Sequence, residues 1–320
     1  MKNLSNSDYK LFEQIVKVKQ YSLLKTMSSY LNHYYDKVYT TRSYVYTVGD
    51  IPIALVAHLD TVFKNPPNEI YYDRQKNVIW SPEGLGADDR AGVFAIIKII
   101  KAGYRPHIIF TTDEELGAIG ASSLTKDIPD PFADMKYIIQ LDRKGVDDCV
   151  FYDCINEDFI KYVESFGFVK QNGSFSDICE ICPMWEVAGV NLSIGYQREH
   201  SISETFHITP FFETVDKVIE MLKDHENISN FKYISRPYVY NSSLLNHFST
   251  DYYTCSICNQ IHLEYELFPV KCLDNKIRFY CPDCMVNHVK WCNVCGEAFE
   301  PKNKNQHLCA NCHGENQNAT

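Results

Sequence analysis

Apolar positions in the first 228 residues alternate between helical and strand-like spacing. Residues 7–34 carry Leu11, Ile15 and Val18 at helical intervals, which predicts one amphipathic helix or two short ones. Similar patterns predict further helices over residues 89–102, 117–124, 158–166 and 210–224. Short apolar runs predict strands over residues 43–48, 53–57, 70–72, 78–80, 107–111, 137–141 and 191–194. Because strands and helices alternate, the sequence predicts an α/β domain with a mostly parallel mixed sheet flanked by helices.

The 13 cysteines are concentrated near the C-terminal end of the chain. Those before residue 255 are interpreted as core or spare thiols: Cys149, Cys154, Cys179 and Cys182, with a metal or redox role as the alternative for the Cys179/Cys182 pair. Most of the later ones form Cys-x-x-Cys pairs: Cys255/Cys258, Cys281/Cys284, Cys292/Cys295 and Cys309/Cys312. Such pairs are typical of tetrahedral zinc sites, so the sequence predicts a module with two structural zinc ions.

These patterns divide the chain into four parts. We expect an α/β domain over residues 1–228, a connector over 229–254, the zinc-binding module over 255–313 and a polar tail over 314–320. Sequential pairing of the cysteine pairs, as in two zinc ribbons, is favoured over interleaved pairing, as in cross-braced fingers. Other side chains that can replace a cysteine ligand are Cys272, His262, His288, His307 and His313.

Charge and hydropathy narrow the possible partners. The formal net charge of -10 disfavours nucleic-acid and membrane-surface binding, because both require clusters of Lys and Arg. The chain has no apolar stretch of about 18 residues, and its polar N-terminus lacks the apolar core of a signal peptide. We therefore expect a cytoplasmic protein, and for the zinc module a protein contact or substrate recruitment.

Polar segments follow several of the predicted strands. They cover residues 57–62, 84–92, 111–117, 141–143 and 198–201, and each one carries carboxylates, a histidine or both. Ligands of open α/β sheets bind beyond the carboxyl ends of the strands, where these segments lie. Carboxylate oxygens mixed with imidazole nitrogens suit zinc-type ions, and several carboxylates can neutralise two adjacent ions. Taken singly, each segment also fits a loop pair, a helix cap or a solvated acidic pair.

The order of these segments resembles that of the co-catalytic dizinc exopeptidases, the superfamily of zinc aminopeptidases, carboxypeptidases and related deacylases. The resemblance covers residues from about 50 to 225 and depends on His-x-Asp, Gly-x-Asp-Asp, Glu-Glu and Asp segments in that order. The interval from Asp142 to His200 is too short for the inserted lid of the dimeric relatives, so the single-domain aminopeptidases are more similar. The zinc module is no part of that common core.

The resemblance implies a zinc-peptidase fold with two catalytic divalent ions, zinc with cobalt or manganese as alternatives. His58 and Asp142 are expected to bind the first ion, and Glu115 and His200 the second. Asp88 is expected to bridge the two ions. His207 is the rival of His200 for the last ligand position.

The resemblance also implies catalytic roles. Glu114 is expected to act as general base and acid, and Asp60 to orient the His58 imidazole. The peptide bond between Asp88 and Asp89 is expected to be cis. Beyond the motifs, Asp177 is interpreted as part of a structural loop, with the substrate pocket as the alternative. Tyr196 is a candidate for polarising a carbonyl group.

The function that these roles imply is hydrolysis of amide bonds, and we expect an aminopeptidase-like exopeptidase that acts on peptides. A deacylase of N-acyl amides is the alternative enzyme, because the same groups serve any amide carbonyl. An inactive scaffold that acts as an adaptor through its zinc module is the alternative outside catalysis.

Overall fold

The computed structural model describes residues 3–131, 135–235, 252–263, 267–271, 277–281, 284–285, 288–292, 298–299, 301, 303, 306–308 and 312. The chain forms two compact units, Met1–Pro237 and Tyr238–Thr320. Cys295 and Cys309, which were predicted to bind structural zinc, lie outside the described residues, as do Cys272 and His313. Among the described residues, no helix has the length and apolar content needed to cross a membrane.

Helices of the first unit follow the predicted pattern closely. They are α1 (Asn6–Val16), α2 (Gln20–Leu31), α3 (Ala87–Lys101), α4 (Ile119–Asp127), α5 (Glu157–Glu164), α6 (Ile178–Trp185) and α7 (Ile208–Lys223), and a 3-10 turn at Asp224–Asn227 follows α7. The N-terminal segment forms two helices, because Lys19 is extended with ψ near 149° and interrupts the helical backbone. The sequence did not predict α6, which contains Pro183.

Strands of the first unit form two sheets. In chain order they are β1 (Val38–Thr40), β2 (Tyr44–Thr47), β3 (Ile51–His58), β4 (Tyr71–Asp73), β5 (Val78–Trp80), β6 (Pro106–Thr111), β7 (Tyr137–Arg143), β8 (Asp148–Val150), β9 (Val169–Lys170), β10 (Gly189–Ser193), β11 (Tyr196–Gln197) and β12 (Thr205–His207). The larger sheet has the order β1-β2-β6-β3-β7-β10-β8-β9, and the smaller sheet has the order β11-β12-β5-β4.

The centre of the larger sheet is parallel. The pairs β6–β3, β3–β7 and β7–β10 are parallel, whereas β1–β2, β2–β6 and β10–β8 are antiparallel. The mostly parallel mixed sheet flanked by helices is therefore confirmed. The strands predicted over residues 70–72 and 78–80 are also confirmed as β4 and β5, which pair antiparallel.

Helix α3 lies in the middle of the first unit. It packs against β3, β7, α1 and α7, and its side chains are buried on all sides, including Arg90, Val93 and Phe94. A helix that is buried all round is fixed in position by the core. The two aspartates at its N-terminal end, Asp88 and Asp89, are therefore held in place by the packing of the whole unit.

Residues 229–235 lie against the first unit after its last helix. The backbone N–H of Phe231 donates to the carbonyl oxygen of Lys136 over 2.8 Å. The Phe231 ring packs against Phe159 and Tyr162, with ring centroids 5.1 and 5.4 Å away. This short segment therefore completes an aromatic cluster of the core.

The second unit contains small antiparallel hairpins. Its described strands are β13 (Tyr252–Thr254), β14 (Ile261–Leu263), β15 (Phe268–Lys271), β16 (Ile277–Tyr280), β17 (Lys290–Trp291) and β18 (Ala298–Phe299). They pair as β13–β14, β15–β16 and β17–β18. Cys255 follows β13 directly and Cys281 follows β16, so cysteine pairs begin at strand ends.

Candidate metal centres

The fold brings the predicted site residues of the first unit to one edge of the parallel sheet. His58 ends β3, Asp142 lies near the end of β7, and Glu114 follows β6. These three strands are neighbours, so their carboxyl ends meet at the same edge. Asp88 reaches this edge from the start of α3, and His200 reaches it from the segment between β11 and β12.

A first group of possible metal ligands surrounds His58. Its Nε2 atom lies 3.1 Å from Asp88 Oδ1 and 3.5 Å from Asp142 Oδ1. These ligand atoms of His58, Asp88 and Asp142 all lie within 4.8 Å of one another. The His58 side chain is only 1% exposed, so this group is enclosed by protein.

A second group contains His200. Its Nε2 atom lies 3.3 Å from Asp88 Oδ2 and 3.1 Å from Glu115 Oε2. Asp88 therefore belongs to both groups and presents a different oxygen to each imidazole. The His200 side chain is 53% exposed, so the second group is open to solvent.

The distances within both groups fit divalent metal ions. Nitrogen and oxygen ligands lie about 2.0–2.2 Å from zinc, so neighbouring ligands of a tetrahedral site are about 3.3–3.5 Å apart. The imidazole–carboxylate distances of 3.1–3.5 Å agree with that separation. Glu115 Oε1 is buried and has no hydrogen-bond partner among the described residues, so it can also bind a cation.

Glu114 lies beside the first group. Its Oε2 atom is 4.0 Å from His58 Nε2. Burial raises the pKa of Glu114 to about 9, and the neighbouring carboxylates of Asp142 and Asp177 add to the shift while His58 opposes it. The raised pKa means that Glu114 holds a proton readily, so a group able to take up and release a proton lies next to the ligands.

Asp60 connects three parts of the site. Its Oδ1 atom lies 3.3 Å from His58 Nδ1. Its two oxygens also accept hydrogen bonds from the backbone N–H groups of Glu114 and Glu115, each over 3.1 Å. Asp60 thus holds the His58 ring and the Glu114–Glu115 backbone in a fixed relation.

The peptide bond between Asp88 and Asp89 is cis. Asp89 belongs to neither ligand group, and its side chain accepts the backbone N–H of Gly92 over 2.9 Å and that of His58 over 3.3 Å. Burial raises the pKa of Asp89 above its usual value. The side chain after Asp88 therefore anchors the start of α3 to the end of β3.

Asp142 is held by polar side chains that the motifs do not include. The Tyr196 hydroxyl donates to Asp142 Oδ1 over 3.0 Å. Ser176 Oγ and Gln140 Nε2 donate to its other oxygen over 2.9 and 3.0 Å. Tyr196 was a candidate for polarising a carbonyl, but its hydroxyl is used in orienting this carboxylate.

Two further buried carboxylates surround the site. Glu204 is 1% exposed and accepts the backbone N–H groups of Ala87 and Asp88 over 3.0 and 3.1 Å. Asp177 is fully buried at the start of α6 and accepts the Thr111 hydroxyl over 2.5 Å. Burial raises the pKa of each of these carboxyls to about 7. Sequence reasoning missed Glu204, and it favoured a structural loop for Asp177 with the substrate pocket as the alternative.

His207, the rival of His200, lies outside both groups. Its Nε2 atom is 3.1 Å from Thr205 Oγ1, and burial lowers its pKa. The four cysteines of the first unit are free thiols, and those at Cys149, Cys154 and Cys182 are buried. Burial raises the pKa of Cys179 to about 12, so this thiol stays protonated at neutral pH.

The second unit contains a separate cluster of thiols. Ligand atoms of Cys255, Cys258, Cys281 and Cys284 lie within 4.8 Å of one another. The Cys258 and Cys281 sulfurs are 3.8 Å apart, which matches the separation of about 3.8 Å between thiolates bound tetrahedrally at 2.3 Å from zinc. Burial opposes ionisation of Cys255, but backbone N–H groups of Cys258 and Cys281 hold its pKa at about 6.

The first two cysteine pairs thus form one group, which is the arrangement of sequential pairing. Cys292 and Cys312, from the third and fourth pairs, share a small buried cluster with Phe299. The other members of those pairs are the ones outside the described residues. The described part of the second unit therefore fits one complete tetrahedral site.

Comparisons with known proteins agree with this fold. No family model matches the chain, and no curated protein matches it. Several solved structures do match the fold. An aminopeptidase PepT from Bacillus cereus superposes with a TM-score of 0.54 and 16% identity over 68% of this chain and 98% of that one. A tripeptidase from Staphylococcus aureus gives a TM-score of 0.54 and 14% identity over 69% of this chain and 98% of that one.

A TET aminopeptidase from a marine sediment thaumarchaeote gives a TM-score of 0.52 and 12% identity over 68% of this chain and 97% of that one. At these identities the similarities show the fold. The fold implied by the resemblance to the co-catalytic dizinc exopeptidases is therefore confirmed.

Proposed function

We propose that the first unit is a dinuclear metallohydrolase that cleaves peptide bonds as an aminopeptidase-like exopeptidase. The observation that supports this most directly is the position of Asp88, whose two oxygens face two different imidazoles at 3.1 and 3.3 Å. A carboxylate in this position can bridge two ions, and the flanking groups complete two sets of ligands.

In this proposal His58, Asp142 and Asp88 hold one ion, and Glu115, His200 and Asp88 hold the other. Zinc is the first choice because the ligands mix imidazole with carboxylate, and cobalt and manganese are the alternatives. When bound, such a pair lowers the pKa of water and stabilises negative charge that develops on an amide oxygen.

Glu114 supplies the proton transfer. Its carboxylate takes a proton from the attacking water and passes it to the nitrogen of the leaving amine. Asp60 keeps Glu114 near His58, because its Oδ1 atom both accepts the backbone N–H of Glu114 and faces Nδ1 of the His58 ring. This link fixes the distance between the proton acceptor and the ligand groups.

Peptides are the proposed substrates. The solved structures with TM-scores above 0.5 include an aminopeptidase, a tripeptidase and a TET aminopeptidase, each matched over nearly its whole length. The half-exposed His200 leaves one side of the site open to solvent, which gives a peptide end access.

In the second unit the thiols of Cys255, Cys258, Cys281 and Cys284 are proposed to hold a structural zinc ion. The third and fourth pairs are proposed to hold a second one. A tetrahedral site of four thiolates leaves no open position for substrate, so these ions would stabilise the fold and take no part in hydrolysis.

The test combines metal analysis with an assay. Metal content per chain is measured on the wild type and on Asp88→Ala, together with hydrolysis of aminoacyl amides, short peptides and N-acyl amides. We expect about four ions in the wild type and about two in the variant, which also loses hydrolysis, since the catalytic pair depends on the shared carboxylate.

Release of N-terminal residues from peptides would support the exopeptidase. Cleavage of N-acyl amides alone would instead favour the deacylase. About two ions in both proteins, with no hydrolysis after metal is added, would overturn the proposal and favour an adaptor.

A further inference from the structure

A cavity of about 240 Å³ lies next to Asp60 in the first unit. It is formed by the turn between α1 and α2, the segment after β3 and the start of α3. Its walls carry the cations Arg90, Lys19 and Lys64, one acidic residue, Asp60, and apolar surface from residues such as Phe63. The ligand groups described above do not use these cations.

Arg90 is the unusual member of this lining. Its side chain is only 4% exposed, and its Nη1 atom donates to the carbonyl oxygen of Ile15 over 2.8 Å. Its Nε atom is buried with no hydrogen-bond partner among the residues that the structure describes. Within the same residues, no carboxylate oxygen lies within 4.0 Å of a guanidinium nitrogen of Arg90. A buried charge without a partner costs free energy, so this guanidinium is suited to an anion from outside.

The nearest acidic side chains are already engaged. Asp60 and Asp89 both favour the charged form of Arg90, although burial lowers its pKa to about 10. Asp60 accepts the backbone N–H groups of Glu114 and Glu115. The two oxygens of Asp89 accept backbone N–H groups at the ends of β3 and in α3. Asp60 and Asp89 therefore compensate the charge of Arg90 from a distance, and neither carboxylate contacts the guanidinium directly.

We propose that this cavity binds a carboxylate, with Arg90 as the inner cation and the exposed Lys19 and Lys64 as the outer ones. A guanidinium presents parallel N–H donors that match the two oxygens of a carboxylate. The apolar wall at Phe63 and Pro66 would contact the carbon atoms that carry the carboxylate.

The carboxylate can come from two sources. One is the C-terminal carboxylate of a short peptide or of a product, which rests on the proposed peptidase function. The other is a free carboxylate anion from solution, which does not. Both sources require the same cations, so the cavity is tested with probes that differ only in this group.

The experiment measures binding by calorimetry on the metal-loaded full chain in a Glu114→Ala background, which prevents turnover. The probes are the dipeptide alanyl-alanine, its C-terminal amide and sodium acetate. We expect the acid to bind roughly tenfold more tightly than the amide, as a direct charge-assisted contact predicts.

The cavity variants are Arg90→Lys and Lys64→Gln. Arg90→Lys should remove most of the preference for the acid, since a lysine lacks the planar pair of donors. Lys64→Gln should reduce the preference by about threefold, as expected for an exposed charge. The matched control is Lys25→Gln, which makes the same charge change at an exposed lysine of α2 outside the cavity lining and should leave the preference unchanged.

The outcomes separate the two sources. Preference for the dipeptide acid that Arg90→Lys and Lys64→Gln weaken supports binding of a peptide end. Acetate binding that the same variants weaken, without a preference between acid and amide, supports a free anion. No acetate binding and no preference in the parent protein would overturn the proposal, as would equal binding in parent and variants.

If circular dichroism shows that Arg90→Lys is unfolded, the double variant Lys19→Gln/Lys64→Gln decides by the same criteria. Failure of the peptidase proposal is recognised separately, because all these measurements are made without turnover. A chain that hydrolyses no peptide but binds acetate through Arg90 retains the cavity as a carboxylate site.

Discussion

The two candidate metal centres differ in how far apart along the chain their side chains lie and in the core that surrounds them. The carboxylate–histidine centre takes its side chains from segments between residues 58 and 200, whereas the thiol centre takes them from residues 255–284. Around the first, the core extends through the sheet and the helices of the unit. Around the second, the described core is a small cluster in which three cysteines pack with Leu267, Tyr280 and Val289.

This difference indicates whether apolar packing or bound metal fixes the structure of each unit. In the first unit, apolar packing positions the strand ends, and the ligands meet there as a consequence of the fold. In the described part of the second unit, only small clusters of apolar side chains are buried around the hairpins, so bound metal would supply much of the free energy of folding. We therefore expect opposite responses of the two units to loss of metal.

The largest expected effect is that of a strong chelator. Structural zinc contributes an apparent free energy of about 10–16 kcal/mol to small zinc modules, so the second unit should unfold when its zinc is removed. Hydrogen exchange would show this as loss of protection at β15 and β16, while β3 and α3 stay protected. Added zinc should restore protection. Persistent protection of the hairpins without metal would remove the contrast between the units.

The next effect concerns Glu114. Glu114→Ala should lower kcat by about 10²–10⁴-fold, the usual contribution of a general acid–base group. The metal content should stay the same, because both sets of ligands remain complete without this side chain. Steady-state kinetics and metal analysis of the same preparation check this. The control is Glu164→Ala, an exposed glutamate at the end of α5. A variant with unchanged kcat would show that Glu114 has no role in proton transfer.

A smaller effect is expected at Glu204, which holds the backbone N–H groups of Ala87 and Asp88. Glu204→Gln replaces one accepting oxygen with a donor group that faces backbone N–H groups. Loss of such outer partners typically weakens metal binding roughly 10–100-fold. Competition with a chromogenic chelator measures this affinity without any assay of turnover.

The matched control for Glu204 is Glu83→Gln. Glu83 is exposed and also accepts a backbone N–H, that of Asn68, over 2.6 Å. If both variants keep the metal affinity of the wild type, the Asp88 backbone needs no support from Glu204.

The smallest effect tests the scaffold itself. Burial lowers the pKa of His107 to about 4, so the folded protein keeps this ring neutral below pH 6.5 while the unfolded chain takes up a proton. The stability that His107 contributes is therefore lost as the pH falls, by about 2 kcal/mol between pH 7 and pH 5. Urea unfolding at both pH values should show a smaller loss in His107→Phe. The exposed His33→Gln serves as control and should behave like the wild type.

The positions of the candidate ligands could be predicted because local patterns mark the strand ends and the helix start where they lie, whereas their metal-binding roles were implied by the resemblance. His58 ends a buried apolar run, and Asp142 lies near the end of another, so both lie at strand ends that periodicity identifies. Asp88 and Asp89 precede a strongly apolar helix. Which roles these residues have in catalysis stays a prediction until the variants are measured.

The supporting side chains could not be predicted, because their partners are remote in sequence. Glu204 binds the backbone of Ala87 and Asp88, and Asp177 binds Thr111, and in each case only the folded sheet brings the two together. No periodicity distinguishes these buried carboxylates from exposed ones. Helix α6 was missed for a local reason: it is short and contains Pro183, which breaks the usual helical signal.

The segment after the last helix of the first unit affects how a truncated fragment of this protein should be designed. A fragment that stops at residue 228 would lack Phe231 and would expose the aromatic rings of Phe159 and Tyr162 against which it packs. Such a fragment should be prone to aggregation during production, whereas one that extends through residue 235 keeps this surface covered. The last residues of the first unit therefore determine whether this unit can be prepared alone.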